Sequence, residues 1–209
     1  MNPDARAFLA AFDAEIVLGE VLIRRQERGF ELRHLADRAA GVQTLRLLNG
    51  SELRTWAQWG AGGAFRPLKS APNLCPGWRA VAADGESLDG LLNHLYPGAV
   101  ADWFAAQSTS PPVTSYRQFT ARQTGMYRIT ARLTDAAAGA AIRACCHADH
   151  CLKRRLWSVE GLAADAPEQK SLIPCLEPCM LLLDFARKVA RQEQNPARQC
   201  EVPGGEEER

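Results

Sequence analysis

Apolar and polar positions alternate at Phe30, Leu32 and His34 against Glu31 and Arg33, the period of a strand with one covered face. Residues 17–25 before it are β-branched and apolar, and Gly29 can supply a turn, so this region predicts a β-hairpin. Ahead of it, Phe8, Leu9 and Phe12 fall on one side of a short helix over residues 4–12. Residues 43–48 and 51–59 read as two further short helices. Ser51 is the expected N-cap of the second, with Leu53, Trp56 and Trp59 on one face. Gly60, Gly62 and Gly63 close that helix; they follow no strand and open no helix, which excludes a phosphate loop. A stretch stiffened by Pro67, Pro72 and Pro76 carries Arg66 and Lys69. Residues 78–81 predict a strand, and Asp84-Gly85 a turn. Ser87 is the expected cap of a helix reaching Tyr96, whose apolar stripe is Leu88, Leu91, Leu92 and Leu95. A second helix follows over residues 100–107, with Trp103 and Phe104 inside it.

Residues 108–115, STSPPVTS, break this regularity and read as a linker. Beyond it the pattern predicts a helix and then a strand through YRQFTARQTGMYRITARL, with Arg117, Arg122, Arg128 and Arg132 solvated or paired. An alanine-rich helix with Asp135 as its expected cap delivers Cys145 and Cys146 at its end. Residues 163–170 are a polar loop. Pro178 is expected at the start of a last, amphipathic helix, which would put Cys179 in its first turn. The chain therefore predicts an α+β fold: a small antiparallel hairpin domain with helices over residues 1–110, and a mostly helical domain over 111–194. Residues 195–209 read as a disordered acidic tail holding a free Cys200.

Composition narrows the class. A net charge of +1 gives no overall pull toward nucleic acid or membrane. No apolar run is long enough to span a bilayer. The N-terminus lacks the basic and apolar segments of a signal peptide, which predicts a cytoplasmic protein with reduced thiols.

That expectation bears on the cysteines, of which five of seven lie between residues 145 and 179. Four residues separate Cys146 from Cys151, and three separate Cys175 from Cys179. Two short-spaced thiol pairs joined by a longer link are what one metal centre needs. Cys146, Cys151, Cys175 and Cys179 are the candidate ligands; Cys145 is a substitute, because adjacent cysteines rarely both ligate one ion. Thiolates suit iron–sulfur clusters and zinc alike, and the spacings fit both. His147 and His150 add zinc-capable groups, while Lys153, Arg154 and Arg155 would offset a cluster's negative charge. Cys75 stands apart, as expected of a buried small residue. His34 reads as a histidine hydrogen-bonded in place.

The segments RPLKSAPNLCPGW, LYPGAVADWFA, RQTGMYR, CLKRRLW and IPCLEPC together resemble the C-terminal extension of sirohydrochlorin cobaltochelatase-like proteins. The resemblance covers roughly residues 15–190. It implies a stabilising α+β domain followed by a 4Fe–4S-binding domain, with Cys146, Cys151, Cys175 and Cys179 as cluster ligands. The α/β chelatase domain of those proteins is not in this chain, and none of its four histidines forms a strand-end metal pair, so chelatase activity does not carry over. The expected function is that of an iron–sulfur accessory protein of a separately encoded chelatase or another tetrapyrrole enzyme, non-catalytic by itself and open to homo-oligomerisation. The alternative is a zinc-stabilised interaction module, binding nucleic acid through CLKRRLW and the RQTGMYR region. Paired arginines suited to an anion occur at Arg122 and Arg128, but no nucleophile–base pair accompanies them.

Overall fold

The computed structural model describes residues 3–11, 13–108, 113–166 and 172–194. Phe12, the centre of the linker at 109–112, the loop positions 167–171 and the tail with Cys200 lie outside the described residues. The fold is α+β.

Helix α1 (Pro3–Ala10) leads into strands β1 (Glu15–Leu18), β2 (Val21–Arg25) and β3 (Phe30–His34). The expected first hairpin arm is thus two strands. Gly19 breaks it with φ +61, and a Cβ there would lie 2.5 Å from the Tyr96 hydroxyl oxygen. That hydroxyl accepts a hydrogen bond from the Glu20 N–H at 2.8 Å, so the turn is fixed by a residue far along the chain. Strand β4 (Arg46–Leu47) and helix α2 (Gly50–Trp56) come next, then strand β5 (Trp78–Ala82), α3 (Gly85–Leu95) and α4 (Ala99–Ser108). The sheet runs β1-β2-β3-β5-β4, antiparallel except for the β4–β5 pair. The helix expected over residues 43–48 is instead a single 3-10 turn, Val42–Thr44, followed by β4, because Leu48 N–H reaches the Arg79 carbonyl at 2.9 Å.

The sheet carries one large core. Val21 and Ile23 have no exposure, and Phe8, Leu53, Trp78, Leu88, Leu92 and Leu95 join the cluster around them. Phe8 meets Trp103 edge-on at 5.3 Å, which ties α1 to α4. The polar face of β3 is covered as well, contrary to the one-face expectation: Glu31 and Arg33 are 6% and 3% exposed. They form a buried ion pair at 2.5 Å, and Arg33 also donates to the Asp37 and Ala40 carbonyls. His34 is buried, its Nδ1 accepting from Ala36 N–H at 3.0 Å. Helix caps sit a little away from their expected places. Asn49, not Ser51, caps α2, and Asp84, not Ser87, caps α3, each in a reciprocal capping box. Trp59 lies beyond α2, half-exposed against Phe65, so the expected face of three ends at Trp56.

The second half holds a separate core. Strand β6 (Thr114–Ser115) precedes α5 (Tyr116–Ala121), a 3-10 helix (Gly125–Arg132), α6 (Asp135–Cys145), short strands β7 (Arg154–Arg155), β8 (Trp157–Ser158) and β9 (Pro174–Cys175), and α7 (Met180–Gln194). The strand expected after α5 is this 3-10 helix; its Thr130 carbonyl accepts the buried Tyr116 hydroxyl at 2.8 Å. Thr134, one residue before Asp135, caps α6. Phe119 stacks on Trp157 at 4.4 Å, with Leu133, Ile142, Leu182 and Ala186 around them.

The two halves interlock. Ile173, 1% exposed, belongs to the first core, and Leu152 packs against it. The Leu152 N–H donates to the Ser70 carbonyl at 2.8 Å.

Candidate metal centre

Three structural joints bring the thiols together. The first is the end of α6. Cys145 is its last residue and Cys146 its C-cap, with its N–H on the Ile142 carbonyl at 2.8 Å. The second is a tight turn in which the His147 carbonyl accepts from both His150 and Cys151 at 2.9 Å, folding Cys151 back toward Cys146. The third is the parallel pairing of β7 with β9, which sets Arg155 beside Cys175. Cys179 then stands immediately before α7, its carbonyl accepting the Leu183 N–H at 3.0 Å. Cys179 is therefore a cap residue rather than part of the first turn, and Pro178 precedes the helix.

The six described cysteines are all reduced, and the five of this region are half-buried. Cys146, Cys175 and Cys179 pack against the second core. Burial pushes the Cys146 thiol up, and charge on Cys175, Cys179, Cys151 and Cys145, in that order, pushes it further. The other three expected ligands thus lie near enough to Cys146 to act on its thiol. Cys145 is also raised, by burial first and then by Cys179, Asp184 and Cys151, with Lys188 opposing. Cys75 takes no part in this group. His147 and His150 stand exposed on the outside of the turn, and His147 faces Asp149 at 3.2 Å. Among the described residues, no three His, Cys, Asp or Glu side chains are drawn in to single-ion distances.

The neighbouring cations divide their work. Burial pushes Cys175 up to about 11, and the Lys153 ammonium and the Trp157 indole N–H pull against that rise. Arg155 is 7% exposed and bonded within its own loop. It donates to the Trp157 carbonyl at 3.1 Å and to the Ala163 carbonyl, and pairs with Asp165 at 3.6 Å. Arg117 is paired with Asp135 at 2.9 Å. Arg128 and Arg132 line a polar groove of about 680 Å³ on the 3-10 helix.

Sequence reasoning missed two residues. Ser70, in the first domain, lies 3.8 Å from the Cys151 sulfur through its hydroxyl. Trp157 packs against the Cys175 side of the centre. Neither has a local signal, since the contacts span many residues. A cavity of about 520 Å³, lined by Ile142, Arg143, Cys146, His147, Leu162 and Asp165, opens beside the group.

The donor set fits an iron–sulfur cluster. It offers four thiols from two chelating pairs, a helix start beside one and a cation beside another. Comparison with known proteins agrees. Residues 4–107 match the family model of the DR2241 stabilising domain, and residues 108–188 that of a 4Fe–4S iron–sulfur cluster binding domain. Among solved structures, the chain resembles DR2241 from Deinococcus radiodurans, with a TM-score of 0.70 and 28% identity over 90% of this chain. That protein is described as multi-domain, with structural similarity to chelatases and two additional novel domains. This chain spans 41% of its length. No curated protein matches. Among the described residues, no helix is long and apolar enough to cross a membrane.

Proposed function

We propose that this chain, in which a DR2241-type stabilising domain is joined to a 4Fe–4S cluster-binding domain, is the iron–sulfur accessory component of a tetrapyrrole metal chelatase. It holds a 4Fe–4S cluster on Cys146, Cys151, Cys175 and Cys179. The observation that carries this is the match of residues 108–188, which contain all four thiols, to a 4Fe–4S cluster-binding domain, with Cys146, Cys175 and Cys179 packed on one core. Cys146 is preferred to Cys145 because Cys175 acts on it and because it packs on the second core.

When bound, the cluster supplies either a rigid crosslink or a one-electron redox centre. The chain's residues bind it, and Lys153 offsets its charge at Cys175. Association with a chelatase is supported by the solved relative, which is described as structurally similar to chelatases. The reading is tested by anaerobic reconstitution with iron and sulfide, followed by metal and sulfide analysis and electron paramagnetic resonance. Four iron and four sulfide per chain are expected. A colourless protein holding stoichiometric zinc under the same conditions would exclude it. Pull-down with a chelatase encoded alongside tests the partner; binding lost on cluster removal is the expected result.

A further inference from the structure

Trp157 is 1% exposed, and its indole N–H has no hydrogen-bond partner. A buried donor left unpaired costs free energy, and in a folded protein it calls for an explanation. The ring is held from several sides. Phe119 stacks on it at 4.4 Å, Tyr116 sits 5.7 Å away, and the Arg155 guanidinium lies 5.6 Å from its centroid. The backbone is fixed too, because β8 pairs with β6 while β7, two residues earlier, pairs with the strand bearing Cys175. The rotamer is therefore locked, and the N–H is at the Cys175 sulfur, close enough to oppose the effect of burial on that thiol. A neutral thiol is a weak acceptor, so the contact falls short of a well-formed hydrogen bond. A thiolate is a strong one.

We infer that Trp157 is a positioning residue for the cluster: its indole N–H donates to the Cys175 sulfur once that sulfur is a cluster-bound thiolate. The weak contact is then strengthened by loading. The bond fixes the Cys175 side chain and draws charge from its sulfur, which raises the reduction potential of the cluster. This rests on the reading that Cys175 ligates a cluster.

The test compares the reconstituted full chain with Trp157→Phe, which keeps the stack on Phe119, and with Trp78→Phe, which removes another buried, unpaired indole N–H remote from the thiols. Iron and sulfide content and the terminal iron–sulfur stretching bands in resonance Raman spectra are read together. The expected result is full loading in all three, with one terminal band moved to higher frequency in Trp157→Phe alone. Unchanged bands in a loaded Trp157→Phe protein overturn the inference and leave the cluster reading standing. A wild-type protein that takes up no iron or sulfide overturns both. Should Trp157→Phe fail to fold, wild-type protein labelled with 15N-indole tryptophan decides: of its five indole N–H signals, one should move strongly downfield on loading. If none moves, the inference fails.

Discussion

Replacing Arg66 by methionine removes a buried side chain that makes four hydrogen bonds in the first domain. Arg66 is 1% exposed, and burial holds its guanidinium below the usual arginine range. It donates to Asn73 Oδ1 at 2.7 Å and to the carbonyls of Ala57, Lys69 and Ala71 at 3.0–3.1 Å. In the variant, Ala57 keeps the Lys69 ammonium and Ala71 keeps the Asn73 N–H. Asn73 is exposed and can turn to water. The Lys69 carbonyl is left without its Arg66 donor, at about 1–3 kcal/mol. With the other charge-assisted bonds lost, the expected cost is roughly 2–4 kcal/mol. For a chain of this size that lowers Tm by roughly 5–15 °C. The damage should also reach the metal centre, because Ser70 lies in the loop that Arg66 pins and holds both Leu152 N–H and the Cys151 sulfur. Thermal unfolding of the cluster-free chain gives the first quantity, and the rate of iron loss to an excess of chelator gives the second. A Tm within about 1 °C of wild type, or lowered stability with unchanged iron loss, would refute the reasoning.

Cys146→Ser should release iron at least roughly tenfold faster than wild type, and Cys145→Ser much less, as read by chelator challenge. Lys153→Met should hold a full cluster at a more negative midpoint potential, since a cation beside Cys175 is gone; redox titration checks the sign. Joint replacement of His147 and His150 by alanine should leave iron and sulfide content unchanged, because both rings are exposed outside the thiol group. Asp102 is raised above the usual carboxylate range by burial first and by Glu177, with Lys153 opposing. A raised carboxyl carries its cost at high pH and sheds it as pH falls through the folded and then the unfolded value. Asp102→Asn should therefore be more stable than wild type near neutrality, by no more than about 1 kcal/mol after solvent screening, and equal to it near pH 3 in denaturant titrations.

Local periodicity was enough to read the strand at Phe30–His34, the leucine stripe of α3 and the two thiol pairs, because each depends on neighbours within a turn or two. Where distant contacts decide, the reading failed. The break at Gly19 is enforced by Tyr96, and β4 displaces a helix because Arg79 offers a carbonyl. The residues 127–132, which alternate like a strand, wind into a 3-10 helix whose Thr130 carbonyl meets Tyr116. Caps slipped because Asn49, Asp84 and Thr134 each had a rival polar residue within three positions. The thiol set was visible as spacing, but its surroundings were not. Ser70 comes from the other domain, and Trp157 is set by a ladder between segments distant in sequence.

Ile173 fills part of the first core, yet it is synthesised long after the helices and strands around it. During translation the N-terminal half must wait with a gap in its interior until a residue two positions before Cys175 has left the ribosome. The closing of that gap and the arrival of the second thiol pair are therefore the same event in time. Released chains that end before residue 173 should be more protease-sensitive in the N-terminal half than chains that include it.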